Sequence, residues 1–238
     1  MKFSEKTVFI SGASRGIGAK IASSFRDQGA YVIGTRRSVD SSASIECDEW
    51  FYADFSNENE ILKCAEFLKS KDIDILVNNA GININANFAK IDLNNFKVIQ
   101  TVNVLTPFLL SQAVLEKMQT KKWGRIVNIS SIWGKISMKG RAAYSASKFA
   151  LDGLTIGLAA ECSSSGIMAN CVSPGFVDTD LTRRMLSSDQ IEELISKVPI
   201  GRLGKVNEIS ELVLWLSSPE NTFVTGQNIS IDGGFTRV

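Results

Sequence analysis

Thr7-Val8-Phe9-Ile10-Ser11-Gly12-Ala13-Ser14-Arg15-Gly16-Ile17-Gly18 is the stretch on which the fold of this chain turns. Its apolar part, Thr7–Ser11, reads as a buried strand, and Ile17–Gln28 after the glycines carries a helical period. Glycines in such a connection permit a tight turn and let backbone N–H groups approach a pyrophosphate at the helix N-terminus. Gly12, Ser14, Arg15, Gly16, Ile17 and Gly18 are therefore a candidate phosphate cradle. The same alternation continues outward. Strands are expected at Ala30–Thr35, Glu49–Ala53, Ile73–Asn78, Gly124–Ser130, Ile167–Ser173 and Asn228–Ile231. Most are separated by enough residues for a crossover helix. That rhythm predicts an α/β fold, a doubly wound parallel sheet of about seven strands with helices on both faces. No repeat, linker or composition break divides residues 1–238, which read as a single domain. One crossover is odd. Between Arg36 and Asp48 the chain is short and rich in serine (Ser38, Ser41, Ser42, Ser44), so a loop or one helical turn is expected there.

Composition removes several kinds of chemistry. The chain has no histidine, which excludes Ser-His-Asp and Cys-His schemes and every His-ligated metal. Proton chemistry near neutrality must then run on Tyr, Lys, Cys, Asp or Glu. Cys47, Cys64, Cys162 and Cys171 lack zinc-site spacing and read as reduced, packed thiols, so no metal is expected. The 26 basic residues balance 25 acidic ones, which offers no basic excess for nucleic acid. The apolar run Val8–Ile10 is too short for a signal peptide, and no stretch approaches the ~20 apolar residues of a membrane span. A cytoplasmic protein with no membrane partner is expected.

The second strand ends in Thr35-Arg36-Arg37-Ser38, with no acid until Asp40. An acid there would hold the adenosine ribose hydroxyls of NAD, whereas guanidiniums suit the 2′-phosphate of NADP. Arg15 could reach the same place. The alternative is that these arginines are solvated surface charges.

Tyr144-Ser145-Ala146-Ser147-Lys148 opens a helix expected over Ala143–Ser164, and its Tyr and Lys, four apart, share one face. A nearby cation favours tyrosinate and makes the hydroxyl a usable acid or base. Ser131 follows the apolar strand residues Ile126–Ile129, at a carboxyl end of the sheet where open α/β folds place ligands. Asn78-Asn79-Ala80-Gly81 ends another strand, and Asn103 lies in a helical segment expected over Asn95–Gln119.

With these pieces in order, the chain resembles the short-chain dehydrogenase/reductase superfamily from end to end. The likeness also takes in Asp54, Pro174-Gly175, Thr179 and Asp232-Gly233-Gly234. It implies a Rossmann-type domain, although the glycine spacing here is Gly-x-x-x-Gly-x-Gly. It also implies an NADP(H)-dependent enzyme interconverting a carbonyl and an alcohol. Tyr144 would be the proton donor in reduction. Lys148 would lower the Tyr144 pKa and hold the nicotinamide ribose. Ser131 would bind the substrate oxygen, and Asn103 would hold a relay water behind Lys148. Asp54 would meet the adenine, beside Phe55. Asn79, Ala80 and Gly81 would line the cofactor channel, and Pro174, Gly175, Val177 and Thr179 would complete it. Ser11 departs from the family's usual Thr but keeps the hydroxyl.

Among subfamilies the pattern is most similar to 3-oxoacyl-(acyl-carrier-protein) reductases, through Ser11–Gly18, Gly34-Thr35 and Pro174–Leu181. Lys121 and Lys122 could dock a carrier protein, but Ser163-Ser164-Ser165 stands where an arginine is common, which leaves that partner in doubt. Asn83, Asn85, Asn87 and Trp133 suit a hydroxylated substrate such as a keto-sugar or sugar nucleotide; they equally suit a polar loop beside a packing tryptophan. Arg183, Arg184, Met185 and Leu186 fall in an expected lid, where an arginine could meet an anionic substrate. A non-catalytic NADP-binding sensor is the reading from another class, and it usually lacks the Tyr or the Lys. By analogy with relatives, the long helices would form a dimer and the last strand a tetramer. The resemblance has a direct test. Tyr144→Phe is expected to keep dinucleotide binding in an equilibrium titration and to lose nearly all turnover; retained activity removes the assignment.

Overall fold

Parallel strands covered on both faces must be apolar almost throughout, as the central Thr7–Ile10 and Ile75–Asn78 are, whereas the edge strands Glu49–Tyr52 and Asn228–Ile231 are half-buried and more polar. The computed structural model describes residues 1–38 and 47–238, with the backbone alone at Leu181 and Met185. In chain order the elements are β1 (Thr7–Ile10), α1 (Gly16–Asp27), β2 (Tyr31–Arg36), β3 (Glu49–Tyr52), α2 (Glu58–Ser70) and β4 (Ile75–Asn78). There follow α3 (Leu93–Gln100), α4 (Thr106–Lys121), β5 (Gly124–Ile129), α5 (Ala142–Cys162) and β6 (Ile167–Pro174). The last are β7 (Val177–Asp178), α6 (Asp180–Met185), α7 (Ser188–Ser196), β8 (Gly204–Lys205), α8 (Val206–Ser217) and β9 (Asn228–Ile231).

The sheet runs β3-β2-β1-β4-β5-β6-β9, all parallel, and β7 with β8 makes a separate small pair. Strand order reverses between β1 and β4, which opens a crevice beyond their carboxyl ends. Side chains alternate across each strand. In β1, Val8 and Ile10 join Ile21, Phe25, Val213 and Leu216 in one core. Phe9 faces the other way, into a core with Ile61, Leu68, Leu110 and Met118. The expected strands are all present, with ends moved by a residue or two. The expected loop or helical turn after Arg36 falls on residues 39–46, outside the described residues.

The helix expected over Asn95–Gln119 starts earlier, at Leu93, because the Asp92 carboxylate accepts from the Asn94 and Asn95 N–H groups and caps it. It reaches Lys121 through a π-helical turn at Thr101–Leu105. This continuous Leu93–Lys121 helix is long and apolar enough, by length and composition, to cross a membrane. It is not apolar throughout, since Asn103, Thr106, Ser111 and Gln112 interrupt it, and half of its most apolar window is buried in the protein. The apolar character has a local cause: Leu110, Val114 and Met118 are buried against the sheet.

The glycine connection is packed as tightly as its sequence implies. A Cβ on Gly18 would stand 2.2 Å from the Gly12 carbonyl oxygen and 2.4 Å from Asn79 Nδ2. Gly18→Ala is expected to cost about 2–3 kcal/mol, and calorimetry should show a Tm lower by roughly 4–10 °C. An unchanged Tm would mean that α1 can shift away from the loop.

Candidate active site

Ser11 and Asn79 build the floor of the crevice. The buried Ser11 hydroxyl accepts from the Asn79 and Ala80 N–H groups at 2.9 and 3.0 Å. In return the Asn79 amide donates to the Ser11 and Gly12 carbonyl oxygens at 3.0 and 2.9 Å. Asn79 thus fastens the glycine loop to the end of β4, and serine supplies the needed hydroxyl as threonine would. Gly12 and Gly16 both have positive φ, 68° and 58°, which glycine adopts without strain. Over Gly16 the nearest atom to an added Cβ is Thr179 Cγ2, at 4.0 Å. The first turn of α1 has no side-chain cap, whereas Asn57 caps α2. An uncapped helix start behind an open glycine turn fits an anion held by backbone N–H groups.

On the adenosine side the expected residues are only partly brought together. Arg36 stacks over Trp50 and Tyr52, at 4.7 and 5.2 Å from the ring centroids, and donates to the Tyr52 hydroxyl. Exposed Arg37 leans on Asp54 at 3.9 Å, and Arg15 is exposed at the α1 N-terminus. The Ser56 backbone N–H, with the Ser56 hydroxyl and Arg37, holds the Asp54 carboxyl below its usual range against the opposing effect of burial. Phe55 is buried in the core, and Ile17 is partly buried against the other core. Pro174, Gly175 and Val177 carry the chain out of β6, where the Gly175 N–H donates to the Ile231 oxygen at 3.0 Å. Thr179 caps α6 by accepting from the Thr182 N–H.

Ser131, Tyr144 and Lys148 converge beyond β5. Gly134 is why they can. A Cβ there would stand 2.9 Å from the Lys148 carbonyl oxygen, so glycine lets the short Ile132–Gly134 turn lie directly on α5. The Ser131 hydroxyl accepts from the Trp133 N–H and interacts with Tyr144. Lys148 is 3% exposed; its Nζ donates to the Ile129 oxygen at 2.9 Å and lies 5.6 Å from the Tyr144 ring centroid. A Cβ on Gly81 would be 3.6 Å from that Nζ, which brings the β4 loop over the same place.

Burial raises the Tyr144 hydroxyl above its ordinary value, and Ser131 and Arg141 draw it down. The Lys148 ammonium donates to the Ile129 carbonyl and is itself held down to about 8 by burial. Asn103 differs from expectation. Its Oδ1 accepts from the Ile82 N–H, while its Nδ2 donates to the Ile82 oxygen and the Ser147 hydroxyl, which donates in turn to the Tyr144 carbonyl. Both amide hydrogens are used inside the protein, leaving an Oδ1 lone pair. The π turn aims this side chain inward.

Beside the site, Trp133, Phe176 and Phe235 pack edge to face, with centroids 5.0–6.4 Å apart. The Asp232 carboxylate sets the turn carrying Phe235 by accepting from Gly234 and Thr236. Asn83, Asn85 and Asn87 are exposed, and the neighbouring Ala86 N–H donates to the Gly140 oxygen at 3.2 Å. Arg183, expected to meet an anionic substrate, instead forks onto Asp178 at 2.6 and 2.7 Å and is already neutralised. Arg141, which the sequence did not single out, lies over Trp133 at 5.7 Å. Its signal was its place three residues before Tyr144.

A strand-glycine-helix cradle at a topological switch, with a Ser/Tyr/Lys cluster at the carboxyl end of the next strand, defines a dinucleotide-type redox scaffold. The chain belongs to the short-chain dehydrogenase/reductase family. The family model that matches residues 12–236 is described as Enoyl-(Acyl carrier protein) reductase. A 3-oxoacyl-(acyl-carrier-protein) reductase FabG from Salmonella typhimurium is 36% identical over 245 residues, covering 100% of both chains. The Escherichia coli FabG is similar to the same extent, 36% over 245 residues. Among solved structures, a gluconate 5-dehydrogenase from Burkholderia cenocepacia in complex with NADP and tartrate has TM-score 0.91 at 28% identity, covering 100% of this chain and 97% of that one. A short chain dehydrogenase/reductase family protein has TM-score 0.90 at 31% identity, covering 99% and 100%.

Both Lys148 near 8 and a raised Tyr144 keep the cluster protonated at neutral pH. Lys148 loses its charge through about pH 8 while Tyr144 keeps its proton, so the nearby cation that would steady the tyrosinate left by proton donation is lost, and kcat/KM for carbonyl reduction is expected to fall over that interval. A profile flat to pH 10 or so would count against the assignment.

Proposed function

We propose that this chain is an NADP(H)-dependent carbonyl reductase and alcohol dehydrogenase that uses Tyr144 as its proton donor and acceptor. The observation that carries this is the convergence of Ser131, Tyr144 and buried Lys148 beside the uncapped glycine cradle. When bound, the nicotinamide supplies or accepts the hydride. In reduction the Tyr144 hydroxyl passes its proton to the substrate oxygen, and the Ser131 hydroxyl donates a hydrogen bond to that oxygen. Lys148 holds the ribose hydroxyls, and its Ile129 bond fixes the ammonium for that purpose. Asn103 braces the Ile82 main chain and, through Ser147, the Tyr144 backbone, with its remaining lone pair facing the relay water. Backbone N–H groups from Gly12 to Gly18 hold the pyrophosphate, with Ala80, Gly81 and Thr179 around it. Arg15 and Arg37 take the 2′-phosphate, with Arg36 as the stacked platform behind them.

The substrate is a small carbonyl or alcohol, of the 3-oxoacyl thioester type by kinship. A hydroxylated keto-acid or keto-sugar is the second reading, favoured by the exposed asparagines and by the two carboxylates held against Lys121. Both Asp72 and Asp74 lie 2.8 Å from Lys121 and neutralise it. We further read residues 1–238 as one catalytic domain in a cytoplasmic homo-oligomer. Exposed Phe108 on α4 and Phe149 and Ile156 on α5 suit a dimer contact, and the β9 edge suits a tetramer.

NADPH oxidation is to be followed against an acetoacetyl thioester, a keto-sugar and a neutral diketone, with NADH in parallel. At least tenfold higher kcat/KM with NADPH is expected, from guanidinium–phosphate pairing worth about 1.4 kcal/mol or more. Better use of NADH would refute the 2′-phosphate assignment, and no turnover of any carbonyl would leave the non-catalytic dinucleotide sensor as the better reading.

A further inference from the structure

Several guanidiniums in the structure, the buried Arg125 among them, are answered by an acid or by carbonyl oxygens. Arg183 has Asp178, Arg202 has Glu208, Arg26 has Asp48, and buried Arg125 has the Gly124, Gly166 and Asn221 oxygens. Arg141 differs. It is half-buried at the start of α5, and among the described residues no carboxylate pairs with it. Its guanidinium lies over the Trp133 ring at 5.7 Å and is near enough to the Tyr144 hydroxyl to interact with it electrostatically. Burial draws its own pKa below the ordinary value, the mark of a charge removed from water without a counter-ion.

The location is specific. Ser131 and Trp133 belong to one turn and Arg141 and Tyr144 to one helix start, so the guanidinium borders the point where Ser131 and Tyr144 meet. Gly140, just before it, accepts from Ala86, which brings the asparagine-rich loop against the same spot. Phe176 and Phe235 close the side beyond Trp133.

We propose that Arg141 is a specificity residue that binds an anionic group of the substrate, a carboxylate or phosphate carried a few atoms from the reacting carbonyl. The proposal rests on the oxidoreductase reading and narrows it to oxo acids and their hydroxy-acid partners or to phosphorylated carbonyls. The planar fork held over Trp133 offers paired N–H groups to two oxygens, and a substrate anion supplies the counter-charge the fold withholds. Lysine in its place would keep the charge without the fork.

The test compares acetoacetate with acetoacetamide, and dihydroxyacetone phosphate with dihydroxyacetone, using NADPH and the wild-type, Arg141→Gln and Arg141→Lys proteins. Wild-type protein is expected to favour one anion over its neutral partner by about tenfold or more in kcat/KM, the size of one charge-assisted pair. Arg141→Gln should remove that preference by lowering the anion's value about tenfold more than the neutral substrate's, and Arg141→Lys should restore part of it. Which pair responds tells carboxylate from phosphate. A second readout needs no turnover: calorimetric titration of malonate, malonamide and inorganic phosphate into NADP⁺-loaded protein. Malonate or phosphate binding should weaken about tenfold in Arg141→Gln, with malonamide unchanged. Equal effects on charged and neutral probes, or no anion preference in the wild type, would overturn the role of Arg141. Failure of all four carbonyls, charged and neutral, to turn over would instead strike the oxidoreductase reading, and the titrations would still decide on Arg141.

Discussion

The structure hangs on one exchange of hydrogen bonds, between Ser11 at the end of β1 and Asn79 at the end of β4. The two strands are neighbours at the point where the sheet reverses its winding, and their carboxyl ends must part to make a crevice. Parting exposes backbone donors and acceptors that the ladder no longer satisfies. One hydroxyl and one amide satisfy four of them and fix the width of the opening. The start of α1, the path of Gly81 over Lys148 and the position of Asn103 against Ile82 all follow from where this clasp sets the two loops.

Burial then does the electrostatic work. Lys148 keeps a bond to the Ile129 carbonyl but has no acid beside it, so its proton is loosely held, at about 8. Tyr144 is pushed the opposite way by the same desolvation, with Ser131 and Arg141 as the local correctives. The ammonium and the phenol, ordinarily close in pKa, are thus driven apart on one helix, which leaves the lysine able to titrate near neutrality while the phenol keeps its proton. The glycine at 134 makes this possible mechanically, by allowing a turn to press on the backbone of α5.

Much of this was readable from the chain. Apolar runs between crossover-length segments gave the sheet, because strands covered on both faces cannot hide a polar side. The Tyr-Lys spacing of four gave their shared face, because helical geometry is local. What escaped was non-local or ambiguous by residue type. An asparagine that holds a ligand and one that holds a loop look alike, so the bonds that fasten Asn79 to Gly12 and Asn103 to Ile82 were not legible beside their channel and relay readings. The π turn at Thr101–Leu105 leaves no periodic trace in five residues. Arg141 and Trp133 meet only through the fold, and Arg183 was a free charge until Asp178 came round to it.

Phe235 lies almost at the far end of the chain from the glycine cradle, yet it touches Trp133 beside the reacting groups. The crevice for the dinucleotide is shaped by segments made before the last strand, from β1 to the turn at Thr179, while Phe235 joins Trp133 only with the turn after β9. Scaffold and selectivity are thus separated in time as well as in space. A ribosome has delivered every part of the proton-handling cluster before it delivers the residue that narrows the entrance. Variation in that last turn can reshape what enters the cleft while the clasp between β1 and β4 stays as it is.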